Sequence, residues 1–253
     1  MEFSAEILLM LFVVALCAGF LDTLAGGGGL ITIPALVLSG VPPLAALGTN
    51  KLQACVGVAT SSFLLFRRGK LDWLALRGLM LTAFIGSAAG TVLIQFVDPE
   101  VLGFVIPAVL GIIAVYFIGS PFLRLETGKP RLGEPTYKNT VIPVIGAYDG
   151  MFGPGTGSFF ALAGVSLRGL ELIAATATAK PLNFATNLAS LIVFLLAGQV
   201  LWLVGLIMMM GQALGAWAGS HYLFKVNPIL LRGIIVTVCL LMLARYVYQH
   251  LAG

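Results

Sequence analysis

Two aspartates, two lysines and two glycine-rich breaks carry the chemistry available to this sequence. Asp22 precedes the run AGGGG (25–29) and Asp149 precedes FGPGTGS (152–158); Lys51 and Lys180 follow about 25 residues after the breaks. A helix break leaves the first N–H groups of the next helix without intrahelical partners. At membrane depth each unsatisfied group costs several kcal/mol. Glycine lets a ligand approach the backbone closely, and the positive end of a helix dipole favours an anion. The candidate anion-binding groups are therefore Gly27, Gly28 and Gly29 at the first break and Gly155, Thr156, Gly157 and Ser158 at the second. The competing use of these glycines is close helix packing with no ligand at all.

The lysines sharpen the anion reading. They lie about 12 Å and about 17 Å into their apolar segments at 1.5 Å per helical residue, near the bilayer centre. A lysine there costs about 2.5–3.5 kcal/mol even on the milder insertion scale, and such residues face internal cavities. Thr176, Asn183 and Asn187 share the helical face of Lys180, and Pro181 frees the carbonyl of Ala177 beside them. Thr49, Asn50 and Gln53 surround Lys51 but spread more widely round the helix. Asp22 and Asp149 are the only carboxylates deep in the apolar sequence. They are candidates for structural ion pairs with the lysines, or for a proton-coupling device that an incoming anion or proton opens.

The elements that must position these groups are membrane helices. The chain has 253 residues, 59% hydrophobic and 9% charged, with a mean hydropathy of +1.05, far from the roughly 25% charged content of soluble domains. Apolar runs long enough to span a bilayer recur throughout, so one membrane domain over 1–253 is expected, in a bacterial inner membrane. The acidic start MEFSAE does not resemble a cleaved signal peptide. Cys17, Cys55 and Cys239 lack metal or redox spacing and read as small buried packing residues. The net charge of +4 is scattered near helix ends, with no basic, aromatic-interleaved patch for nucleic acid. No HExxH, P-loop or Cys/His pattern is present, so neither a metal nor a cofactor is expected.

Apolar segments fall at about 4–24, 27–40, 43–66, 71–96 and 99–122, and again at 139–151, 154–166, 169–197, 199–223 and 227–251. A polar linker, 124–138, separates repeat 1 (about 1–123) from repeat 2 (about 139–253). Gly19, Asp22, Gly26 and Gly28 match Gly146, Asp149, Gly153 and Gly155 at an offset of 127. Lys51, Ser61, Gly69, Trp73, Gly86 and Gly90 match Lys180, Ser190, Gly198, Trp202, Gly215 and Gly219 at an offset of 129. Trp73 and Trp202 read as interfacial anchors, and MMMG (208–211) as adaptable packing.

Charge relates the halves. RRGK (67–70) reads as cytoplasmic and DPE (98–100) as external, which brings the chain back to a cytoplasmic 124–138 loop. In the second half the turn matching RRGK is the uncharged AGQV (197–200), and the turn matching DPE is the basic HYLFKVNPILLR (221–232). The pattern swaps ends, as inverted-topology repeats with an odd number of crossings require. The expected fold is an all-α polytopic membrane protein of two inverted repeats. Each repeat has a broken or re-entrant pair of short helices followed by three spanning helices.

GFLDTLAGGGGLITIPAL and ALGTNKLQ in the first half, with YDGMFGPGTGSFFAL, TAKPLNFATNLASL and GQVLWLVGL in the second, resemble the TauE/SafE family of membrane transporters, especially its YfcA-like branch. The resemblance covers nearly the whole chain. It implies secondary transport of sulfite, thiosulfate or a small organosulfonate; the sulfur chemistry comes from the resemblance alone. Residues and spacing lead to a transporter with a midplane anion site formed by Gly27–Gly29, Asn50, Lys51, Gln53, Gly155–Ser158, Lys180 and Asn183. The expected partners are the bilayer, a small anion and a candidate coupling proton, and a homo-oligomer stays open. An anion channel is an alternative. An intramembrane enzyme is a more remote one, because a Ser158–His221 dyad would sit in GTGSF, which lacks the glycine after serine of a nucleophile elbow.

Overall fold

The computed structural model describes residues 3–119 and 128–223, together with Thr237, Leu240, Leu241 and Tyr248. Most of the expected last segment, with Cys239, lies outside them. The first half comprises α1 (Ala5–Ala25), α2 (Gly29–Leu38), α3 (Pro43–Arg67), α4 (Trp73–Ile94) and α5 (Pro99–Gly119). A short turn α6 (Glu134–Thr136) and a π turn (Tyr137–Val141) begin within the expected linker and lead into α7 (Ile142–Met151), α8 (Thr156–Arg168), α9 (Leu172–Leu196) and α10 (Trp202–Tyr222).

Local chemistry sets the helix ends. The Ser4 hydroxyl accepts the Ile7 N–H at the start of α1, and the Asp72 carboxylate accepts the Leu74 N–H at the start of α4. Pro43 occupies the first turn of α3, where its missing N–H costs nothing. Gly26 ends α1 at φ 75° and Gly155 precedes α8 at φ 77°, left-handed conformations that a side chain would strain. The segment expected at 139–151 begins earlier. Helical backbone runs from Glu134 through the π turn into α7, because Thr140 bonds back to the Thr136 carbonyl and the chain accommodates the extra residue without breaking.

Four of the described helices, α1, α4, α9 and α10, are long and apolar enough to cross a membrane. With 25 residues, about 37 Å, α3 is also long enough. Thr49, Asn50, Lys51, Gln53, Ser61 and Ser62 dilute its apolarity, and all six are buried. Trp73 and Trp202 are exposed at the first residues of α4 and α10, as interfacial anchors are. Met208 is buried and Met210 exposed, so only part of the methionine cluster packs inside. Cys17 corrects the expectation of three buried cysteines: it is exposed, whereas Cys55 is buried. Ala15, Ala18 and Gly19 form the inward stripe of α1, and the helical period turns position 17 away from them.

Each half's first helix packs on the other half's fourth. On α10, Gly215 and Gly219 lie against the backbone of Leu16 and Phe20 of α1; on α4, Gly86 and Gly90 lie against Pro143 and Ala147 of α7. The numbers rise together in both cases, so each pair is parallel. Such close backbone approach is the use membranes make of small residues at four-residue spacing. The third helices continue the scheme. Gly48 of α3 meets Gln199 just before α10 and Gly57 meets Gln212 within it, so these two helices are also parallel. Ser87 of α4 bonds the Thr186 carbonyl at 2.7 Å and Thr91 meets Ser190 at 2.9 Å, making α4 parallel to α9. Phe194, near the end of α9, touches Gly48, near the start of α3, so these two run in opposite directions.

Candidate functional site

The two glycine breaks meet inside the protein. Gly26 packs against Gly157 and the backbone N of Ser158, and Gly29 faces Pro154. The Ser158 hydroxyl donates to the Ala25 carbonyl, stitching the end of α1 to the start of α8. The two short helices therefore begin back to back, with Gly27, Gly28, Gly155, Thr156, Gly157 and Ser158 all buried. Among the described residues, the N–H groups of Gly27, Gly29, Gly155 and Gly157 have no acceptor. A polar group that reached this level would find these donors already oriented.

Both lysines reach this level from the opposite half. Lys51 donates to the Asp149 carbonyl at 2.5 Å, and its Nζ lies 3.1 Å from Asp149 Oδ1. Lys180 donates to the Asp22 carbonyl. Each lysine is 1% exposed. These contacts correspond in the sequence alignment of the two halves, where Asp149 matches Asp22 and Lys180 matches Lys51. They differ in the carboxylates. Asp22 Oδ1 accepts the Gly28 N–H at 2.9 Å and so caps the start of α2 from within its own half. Asp149 leaves the matching Gly155 N–H alone and turns to Lys51.

The remaining candidates divide into two groups. Asn183 joins the cluster, its Nδ2 lying beside Gly157 and its Oδ1 accepting from Asn187 at 2.9 Å. Thr156 turns inward on its own loop, donating to the Gly153 carbonyl at 2.8 Å. Asn50 and Gln53 form a separate set on α3: Asn50 Oδ1 accepts from Thr32 at 2.6 Å and from Gln53 Nε2 at 2.7 Å. Asn50 ties α3 to α2, while Gln53 holds Asn50 from within α3 and leaves its own Oε1 buried without a hydrogen-bond partner among the described residues. Thr176 bonds back to the Leu172 carbonyl and does not join the stripe of Lys180 and Asn183.

Sequence reasoning passed over Gln212, which is 2% exposed with an unpartnered Oε1 and lies over Gly57. An amide deep in an apolar helix was its available signal. It also passed over the seam where Ser87, Thr91 and Ser190 satisfy one another between α4 and α9. The imagined serine–histidine dyad has no counterpart. Ser158 is committed to a backbone carbonyl, and His221 is exposed at the end of α10 with its ring 4.8 Å from that of Trp217. An apolar hollow lined by Pro34, Val37, Pro43, Leu102, Ile106 and Leu110 shares no residue with the cluster.

Helices with buried charges and paired helix starts define a class of polytopic membrane transporter, and comparison with known proteins gives the family. The model of the sulfite exporter TauE/SafE family matches residues 11–246. A probable membrane transporter protein of Haemophilus influenzae is 43% identical over 250 residues, covering 99% of this chain and 98% of that protein. The probable membrane transporter protein YfcA of Escherichia coli K12 is 41% identical over 246 residues, 97% of this chain and 91% of its own length. A probable membrane transporter protein of Sinorhizobium, ORF9, is 41% identical over 244 residues, 96% and 94% of the two chains. No solved structure matches. The chain belongs to the sulfite exporter TauE/SafE family. It is a multi-pass cell-membrane transporter and not an enzyme.

Proposed function

We propose that the protein is a secondary transporter of a small anion, in the class of sulfite, thiosulfate or an organosulfonate, coupled to protons. Its site is the midplane junction where α2 and α8 begin, with Lys51 and Lys180 supplying positive charge. The observation that carries this reading is the meeting of two buried helix starts with two buried lysines, each contributed across the halves. Unpaired helix-start N–H groups and a lysine ammonium suit an oxyanion, which offers several acceptor oxygens and a delocalised charge. The family's description as sulfite exporters supports the substrate class.

The two halves are inverted-topology repeats, and alternating access rocks one against the other around this junction. Support comes from helix direction: α1, α3 and α10 run one way, α4, α7 and α9 run together, and α9 opposes α3. Reconstitution into vesicles with measured sulfite, thiosulfate and sulfoacetate flux tests the function. Saturable, gradient-coupled flux that disappears in a well-inserted Lys51→Met/Lys180→Met variant is expected. Unchanged flux in that variant removes the lysines from the site, and ohmic single-channel currents make the protein a pore.

A further inference from the structure

We propose that the two pseudo-equivalent half-sites do different work: a proton taken up by Asp149 releases Lys51 to pair with the anion at the start of α8, while the half-site at α2 stays filled by Asp22. The inference rests on the transport reading above for its anion and on this chain's own asymmetry for its proton.

The Asp22 carboxylate already occupies the anion position at the start of α2, with Oδ1 on the Gly28 N–H. It is an internal ligand, and it closes that cradle. At α8 the matching carboxylate has left the Gly155 N–H for Lys51. The Lys51 ammonium thereby stands at the second break, where a Cβ on Gly153 would come within 3.1 Å of its Nζ. The other carboxylate oxygen, Asp149 Oδ2, is fully buried and has no hydrogen-bond partner among the described residues. Oδ1 is held by Lys51, whereas the lone pairs of Oδ2 are open to a hydrogen.

Charge closes the argument. Lys51, Lys180, Asp22 and Asp149 sum to zero, so an anion entering this buried cluster brings one uncompensated negative charge. One proton per monoanion restores neutrality. An O–H bond forms on Asp149 Oδ2, no other covalent bond breaks, and Lys51 keeps its three N–H bonds while the anion replaces the carboxylate as its counter-ion. The groups facing Asp149 permit this. Lys51 approaches from α3; from α4 come the Thr91 hydroxyl, which donates to the Gly150 carbonyl, and the Ser87 backbone beside Gly150. On α9 Lys180 is turned to the Asp22 carbonyl, α8 carries only Arg168 at its far end, and on α7 itself Tyr148 donates to the Pro154 carbonyl.

The test uses the purified full chain, wild type, Asp149→Asn and Asp22→Asn, with infrared difference spectra on acidification and methanesulfonate binding against pH. Methanesulfonate keeps its charge across the range, so any pH dependence belongs to the protein. Wild type should show a protonated-carboxyl band that Asp22→Asn retains, and wild-type binding should tighten by up to roughly tenfold per pH unit of acidification, as one linked proton requires. Asp149→Asn, a fixed mimic of the protonated state, should lose the band and bind independently of pH. A band lost with Asp22 and kept without Asp149, or wild-type binding that is flat or tightens with rising pH, overturns the proposal. Should Asp149→Asn fail to insert, Asp149→Glu must shift the band; an unmoved band overturns it equally. If the band belongs to Asp149 and no anion binds at any pH, the transport reading fails, and the partner exchange with it.

Discussion

The Asp22 carboxylate accepts the N–H of Gly28, six residues further along the same chain, at 2.9 Å. It folds back over the break to cap α2, which no residue nearer in sequence does, since Gly28 itself supplies no side chain. Asp22→Ala removes this cap, and thermal unfolding in detergent should register a loss of about 1 kcal/mol, within the 0.5–2 kcal/mol range of N-cap deletions. Asp22→Asn keeps an acceptor oxygen and should lose less. Equal losses in both variants would mean that charge and not capping is what Asp22 contributes.

Lys51 and Asp149 form a buried pair between the halves. Removing one member leaves the other buried without its counter-charge, so Lys51→Met alone should destabilise by about 3–5 kcal/mol. Lys51→Met/Asp149→Leu should recover much of that, because replacing both members with apolar groups is often close to neutral. A double-mutant cycle on unfolding midpoints measures the difference. Strict additivity would show that the two do not couple.

Gly86 and Gly215 occupy equivalent places in the two parallel helix pairs, each against a partner backbone. Alanine at either should cost about 1–3 kcal/mol through overpacking. Gly103, where an added Cβ meets nothing within 4 Å, serves as the control; alanine there should gain up to about 1 kcal/mol of helix propensity. A similar response at all three positions would refute the close-packing account.

The proposed inverted repeat is open to labelling. The turns after α3 and α9 match, and reporter cysteines at Lys70 and Gln199, in a background without Cys17, Cys55 and Cys239, should react from opposite membrane faces. These positions are better reporters than Gly69 and Gly198, whose φ values of 64° and 69° penalise any side chain. Labelling of both from the same face contradicts the inversion.

Much of the fold was legible because apolar segment length and punctuation act locally. Gly26, Pro43 and Gly155 mark helix ends that the structure places within a few residues of expectation. The breaks, the lysines and the aspartates were legible because charge and bare backbone are expensive in an apolar chain. Their pairing was not. Lys51 reaches Asp149 across 98 residues and not the nearer Asp22, which depends on which helices lie side by side. Asn50 shows the same limit: its bond to Thr32 of α2 depends on which helices adjoin. Cys17 failed for a simpler reason. In a membrane an apolar residue is as comfortable facing lipid as facing the core, so composition alone does not orient it.

The crossed pairing of first and fourth helices also imposes a schedule on biogenesis. α7 leaves the ribosome when its partner α4 is already made and can dock at once. α1 is made before the other described helices, yet the glycines that receive it belong to α10, about 200 residues later. At about 5–20 residues per second it waits roughly 10–40 s in the bilayer before its partner emerges. During that interval its small-residue face and Asp22 are open to insertion factors or to quality control, so a helix made early is secured late.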